Sequence, residues 1–251
     1  MKIKGLLPNG LTFANLFLGF LSIILIAEGK FVSAAWLIIL SSILDGLDGA
    51  AARLTKQSSA FGMEADSFAD VISFGVAPSL LVYKVCLENL GLGGVLLAFI
   101  PLMAGVYRLV RFKFITTSKP KFRGFVGLPI PAYALIAVSY YLFQYQLNNG
   151  FVEGLLYISL LPALALLMIS PIPYRRMPVF PLTNTRYPWI GILVLGIATL
   201  SVILFQGVAM FPIMVFYLIT GPVEAGYLQL RRLNKHILVL KTNRNSSKKD
   251  K

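Results

Sequence analysis

The chain has 251 residues, 57% of them hydrophobic and 13% charged, with a mean hydropathy of +0.77. This composition excludes an ordinary water-soluble domain, and with it a soluble nucleic-acid binder, despite a net charge of +13. A single cysteine, Cys86, rules out an internal disulfide, and a single histidine, His236, argues against a histidine-ligated metal or a histidine base.

Residues 1–10, MKIKGLLPNG, are short and amphipathic, and Pro8 and Gly10 are expected to separate an interfacial segment from the first span. The next apolar run has no clear small-x-small cleavage site, so it is expected to be a retained helix rather than a signal peptide. Membrane-spanning helices are expected at about 11–28, 31–53, 60–86, 93–113, LPIPAYA to Tyr145, 152–170, 189–206 and 208–230. Glu28 to Lys30, Gly91 to Gly94, Asn148 to Gly150 and Gln206-Gly207 read as turns, and Pro78 is expected to kink the third span. The proline-rich, basic segment PIPYRRMPVFPLTNTRYP reads as a loop. The expected fold is an all-α polytopic membrane protein with about eight transmembrane helices. An integral membrane domain would cover 1–230, with a basic, flexible tail over 231–251.

Eight spans place both termini on one side. Of the 23 lysines and arginines, only Lys30 and Lys84 then fall on the other side. The positive-inside rule makes the crowded side cytoplasmic, with anionic headgroups as the partner of those charges. The turn between the second and third spans also faces the cytoplasm.

That turn lies within DGLDGAAARLTKQSSAFGMEADSFAD, residues 45–70, which hold five of the ten acidic residues, the four aspartates Asp45, Asp48, Asp66 and Asp70 among them. A carboxylate at membrane depth costs about 2.5–3.5 kcal/mol, so four cost on the order of 10 kcal/mol without compensation. Arg53 alone cannot balance them, whereas bound divalent cations can. Asp45 and Asp48 are three apart and Asp66 and Asp70 four apart, so each pair shares a helix face. A tight turn, with Ser58 or Ser59 capping the next helix, would bring the two faces together. Gly49 and Gly62 allow close approach of backbone or ligand. Oxygen ligands alone suit Mg²⁺ or Mn²⁺ shared with substrate phosphates. The rival readings are aspartates that cap turns or pair with Arg53, and an ion-transport site. Transport predicts acids scattered across helices at mid-depth, and here they cluster at one turn.

The pattern Asp45-x2-Asp48-Gly49-x2-Ala52-Arg53-x8-Gly62-x3-Asp66-x3-Asp70 resembles the motif of the CDP-alcohol phosphotransferases, with eight fixed residues over twenty-six positions. The resemblance implies transfer of a phosphoryl-linked group from a CDP-activated donor to an alcohol, releasing CMP. It implies two divalent metals on Asp45, Asp48 and Asp66, with Asp70 close to them and acting as general base. Gly49, Ala52, Arg53 and Gly62 would line the CDP site. It also implies a homodimer.

The stretch RLVRFKF followed by FVGLPIPA resembles the membrane-embedded phosphatidylserine synthases of bacteria and archaea, with Lys113 where asparagine is usual. PNGLTFANLFLGF resembles the start of the same group, which implies that Thr12 and Asn15 face the nucleotide; helix capping and interhelical hydrogen bonding are the other reading of both. The resemblance runs over roughly 8–135 and implies CDP-diacylglycerol and L-serine as substrates. Arg108 and Arg111 would grip the serine carboxylate or the lipid phosphate, while Lys113, Lys119 and Lys121 read as positive-inside anchors. Glycerol 3-phosphate or inositol phosphate as acceptor, and an archaeal lipid tail, stay open as alternatives.

Overall fold

The computed structural model describes residues 6–55, 60–118, 125–150, 152–174 and 207–246. Lipid is as apolar as leucine, so small and hydrogen-bonding residues decide which face of a membrane helix packs. In α1 (Leu6–Ala27) that face is Thr12, Asn15, Gly19, Ser22 and Ile26, spaced three and four apart and all buried. Phe13, Phe17, Phe20 and Ile24 point away and are exposed. The stripe packs on α2 (Phe31–Thr55), where the Ser22 hydroxyl donates to the Ala34 carbonyl at 3.2 Å. The helix begins at Leu6 and passes through Pro8 and Gly10, so those residues do not break the chain as expected. A proline in the first turn forfeits an N–H that has no helical acceptor anyway. Residues 1–5 of the expected interfacial segment lie outside the described residues.

The third helical run, α3, is continuous but not uniform. It passes from α-helix (Ala60–Asp70) through a π-helical turn (Val71–Val76), α-helix (Ala77–Val82) and a second π-helical turn (Tyr83–Leu87) to a 3₁₀ turn (Glu88–Leu90). The first π-turn ends immediately before Ala77-Pro78, and the Ala77 N–H reaches Ile72 O rather than the carbonyl four back. The expected effect of Pro78 is thus taken up as a change of helical register.

α4 (Leu92–Ser118) outlasts its expected end by about one turn. α5 (Ile130–Leu147) is the enclosed element, with every residue from Ala132 to Leu142 buried. The Tyr157 hydroxyl of α6 (Leu155–Ile169) donates to Ala137 O at 2.8 Å. Two short strands, β1 (Phe125–Val126) and β2 (Pro173–Tyr174), pair antiparallel. α7 (Met210–Ser246) runs well past residue 230. The Tyr174 ring of β2 lies where a Cβ on Gly221 of α7 would sit, 2.3 Å away.

Among the described residues, five helices are long and apolar enough to cross a membrane: Asn9–Ala27, Phe31–Gly49, Phe61–Leu90, Leu92–Phe114 and Met210–Tyr227. α6 is apolar but shorter. The expected span at 189–206 lies outside the described residues, as do Ser58, Ser59, Lys119, Lys121 and most of the proline-rich loop.

The crossing of α1 and α3 depends on Gly19, where a Cβ would sit 2.8 Å from the Ser73 Cα and 2.2 Å from its hydroxyl oxygen. Gly19→Ala is expected to destabilise the detergent-solubilised protein by about 1–3 kcal/mol through overpacking. Thermal unfolding checks this, and an unchanged midpoint would mean that the helices can part without cost.

Candidate active site

α2 and α3 each contribute one carboxylate pair, and the fold brings the pairs together. Asp45, Asp48 and Asp66 each place an oxygen within 4.8 Å of the others. Asp70 lies beside them, its carboxyl group against that of Asp45. Asp48 and Asp70 are buried, and one oxygen each of Asp66 and Asp70 is buried without a hydrogen-bond partner among the described residues. Buried carboxylate oxygens with nothing to accept from are costly. Three converging oxygens from three side chains fit a hard divalent cation, Mg²⁺ or Mn²⁺. Gly49 lies one turn after Asp45, and Gly62 one turn before Asp66. Ala52 and Arg53 belong to the last turn of α2, and their side chains lie outside the described set.

α1 closes this cluster from a third side. The Thr12 hydroxyl donates to Asp48 Oδ2 at 2.9 Å, which fixes that carboxylate's orientation. Asn15, one turn on, is fully buried. Its side-chain oxygen accepts from the Ser41 hydroxyl, and its carbonyl accepts from Ser73 Oγ at 3.1 Å. Its Nδ2 has no hydrogen-bond partner among the described residues. Ser41 is four before Asp45 and Ser73 three after Asp70. Both sit on the carboxylate faces of their helices, a periodicity that could have marked them in advance.

The two arginines of α4 do different things. Arg108 is 4% exposed and faces Asp70 and Tyr217. Arg111 gives its guanidinium to backbone: Nη2 donates to Val126 O at 2.9 Å and to Met168 O and Ser170 O at 3.3 Å, and Nη1 donates to Ile169 O. Those carbonyls include the end of α6, which has no helical donors of its own. Gly127 completes the joint. Its φ is +83°, its N–H donates to Ile172 O at 2.8 Å, and a Cβ there would lie 2.1 Å from Met168 O. The FVGLP segment is therefore a backbone clasp between α4 and α6.

Lys113, further along α4, pairs with Glu64 of α3 at 2.7 Å and faces Asp66. By sequence alone Lys113 reads as a membrane-surface anchor and Glu64 as a solvated residue; the fold makes them partners.

Comparison with known proteins gives a family. The family model described as CDP-alcohol phosphatidyltransferase matches residues 5–172. A CDP-diacylglycerol–serine O-phosphatidyltransferase of Helicobacter pylori (strain ATCC 700392 / 26695) is 43% identical over 171 residues, covering 67% of this chain and 71% of the relative. One of the same name from Methanocaldococcus jannaschii is 40% identical over 167 residues, covering 66% and 72%. An archaetidylserine synthase of Methanothermobacter thermautotrophicus is 37% identical over 172 residues, covering 68% and 70%.

Two substitutions separate orientation from architecture. Thr12→Val keeps the shape but removes the hydroxyl from Asp48, and is expected to weaken Mn²⁺ binding roughly tenfold. Calorimetric titration checks this, against an unchanged unfolding midpoint. Arg111→Met leaves several backbone carbonyls unsatisfied, and is expected to lower stability by about 2–3 kcal/mol, read as a fall in the unfolding midpoint.

Proposed function

Because the chain belongs to the CDP-alcohol phosphatidyltransferase family of transferase enzymes, we propose that it transfers a phosphatidyl group from CDP-diacylglycerol to the hydroxyl of L-serine, releasing CMP. The observation that carries this reading is the convergence of Asp45, Asp48, Asp66 and Asp70 beside the buried Arg108. Relatives that are 40–43% identical and named for that reaction support serine as acceptor. The archaeal relative named archaetidylserine synthase supports the same acceptor on another lipid.

Asp45, Asp48 and Asp66 would hold two divalent ions, Mn²⁺ or Mg²⁺, with Asp70 at their edge. When bound, the ions neutralise charge on the donor pyrophosphate and on the departing CMP. The chain's own residues do the rest. Asp70 accepts the proton of the serine hydroxyl as its oxygen attacks the phosphorus that bears the lipid. The bond from that phosphorus to the oxygen of the CMP phosphate breaks, and CMP leaves with the electron pair. Proton transfer must accompany bond formation, since a carboxylate is a weak base toward a free alcohol. Thr12 holds Asp48 in orientation, and Arg108 offers a guanidinium to the lipid phosphate or the acceptor carboxylate. Arg111 acts at one remove, by holding the clasp. Asn15, Gly49, Ala52, Arg53 and Gly62 would line the nucleotide site.

The site would open at the cytoplasmic face of the cell membrane, in a chain with eight spans and both termini cytoplasmic. Charge supports this orientation. Lys30 and Lys84, which that arrangement would put on the opposite face, are each paired locally, with Glu28 and Glu88. With eight spans, the remaining basic residues of the sequence would fall on the face of the site and meet anionic lipid there. We further propose a homodimer, in keeping with the family resemblance, and a membrane domain ending near residue 230.

Purified protein with CDP-diacylglycerol and Mn²⁺ is expected to release CMP when serine is supplied, and not with glycerol 3-phosphate or inositol phosphate. Asp70→Asn is expected to lose about 10²–10⁴-fold in rate while the protein stays folded. Release only with another alcohol would contradict the acceptor, and full activity of the variant would contradict the base.

A further inference from the structure

This inference rests on serine being the acceptor. Free serine carries a carboxylate and an ammonium next to the hydroxyl that reacts, so its site needs a cation and an anion side by side. The described cations near the aspartates are three. Arg108 is buried and faces Asp70. Arg111 is spent on backbone carbonyls. Lys113 remains at the open edge, its Nζ 2.7 Å from Glu64 Oε2, with 40% of its side chain and 59% of that of Glu64 exposed. It also faces Asp66, which belongs to the carboxylate cluster. A matched pair of opposite charges thus lies exposed near the ends of α3 and α4, at the rim of the reacting centre. An exposed pair of this kind adds little to stability, so exchanging its partners costs little.

We propose that the Lys113–Glu64 ion pair is the acceptor-recognition site: Lys113 takes the serine carboxylate, Glu64 takes its ammonium, and the hydroxyl is thereby turned toward Asp70. The exchange trades one ion pair for two and leaves no charge unmatched. An alcohol with only one of the two charges leaves either Lys113 or Glu64 without a new partner, which is a basis for discrimination.

The test is the serine dependence of CMP release by the full chain in detergent with CDP-diacylglycerol and Mn²⁺, for wild type, K113M, E64Q and the reversed pair K113E/E64K. Both single variants are expected to raise KM for serine about tenfold or more, by a larger factor than they lower kcat, with KM for CDP-diacylglycerol changed less than about threefold. The reversed pair re-forms the bridge but presents its charges the wrong way round, so it is expected to recover the unfolding midpoint without recovering KM for serine. Recovery of serine KM by the reversed pair would overturn the proposal, because the bridge would then serve only to hold α3 to α4. A serine KM within about twofold of wild type in either single variant would overturn it too. Because both side chains are half-exposed, E64Q keeps the test decisive should K113M fail to fold. Wild type that releases CMP only with an uncharged alcohol would remove the serine reading itself, a different failure from wild type that uses serine while its variants keep their KM.

Discussion

Carboxylates held at membrane depth are the constraint on which this structure depends. Each is expensive on its own, and four converge here on one side of a helix pair. The surrounding architecture reads as the means of keeping them together. A polar stripe on α1 meets both carboxylate-bearing helices. Thr12 bonds Asp48 directly, while Asn15 ties Ser41 of α2 and Ser73 of α3 to one point. Gly19 lets α1 approach α3 closely enough for those bonds to form. Oxygens of Asp66 and Asp70 remain without donors among the described residues, which leaves the cluster ready for cations and unfavourable without them.

The far side of the site is built by backbone rather than by charge. Arg111 and Gly127 fasten the end of α4 to the end of α6, and this holds Arg108, one turn earlier, against Asp70. The π-helical turn that begins right after Asp70 lets α3 carry its carboxylates on one register and its packing residues, Phe74 and Leu81, on another. Departures from α-helical register are frequent at functional sites for this reason. In α3 it also accommodates Pro78.

Much of this was legible in the sequence. The aspartate spacing named the cluster because helical periodicity alone puts residues three and four apart on one face. The helices themselves followed from apolar run length. What periodicity could not show was partnership across helices. RLVRF gave two arginines the same apparent role, yet one faces an aspartate and the other is consumed by carbonyls, since nothing local distinguishes Arg108 from Arg111. Lys113 and Glu64 lie 49 residues apart, and each alone reads as a surface charge. Pro8 and Gly10 looked like breaks because both disfavour helix interiors, but Pro8 falls in the first turn of α1, where a proline is tolerated, and the helix runs on through Gly10. Pro78 promised a kink and became a register change, which depends on how its neighbours pack.

The most direct test of the central claim is to locate Mn²⁺ by anomalous scattering in crystals of the protein grown with CDP-diacylglycerol. The account predicts density for two ions, coordinated by Asp45, Asp48 and Asp66, with Asp70 at the edge of the pair and the donor pyrophosphate across from it. Mn²⁺ bound elsewhere, or a donor seated in the site with the four aspartates making no contact to metal, would contradict it.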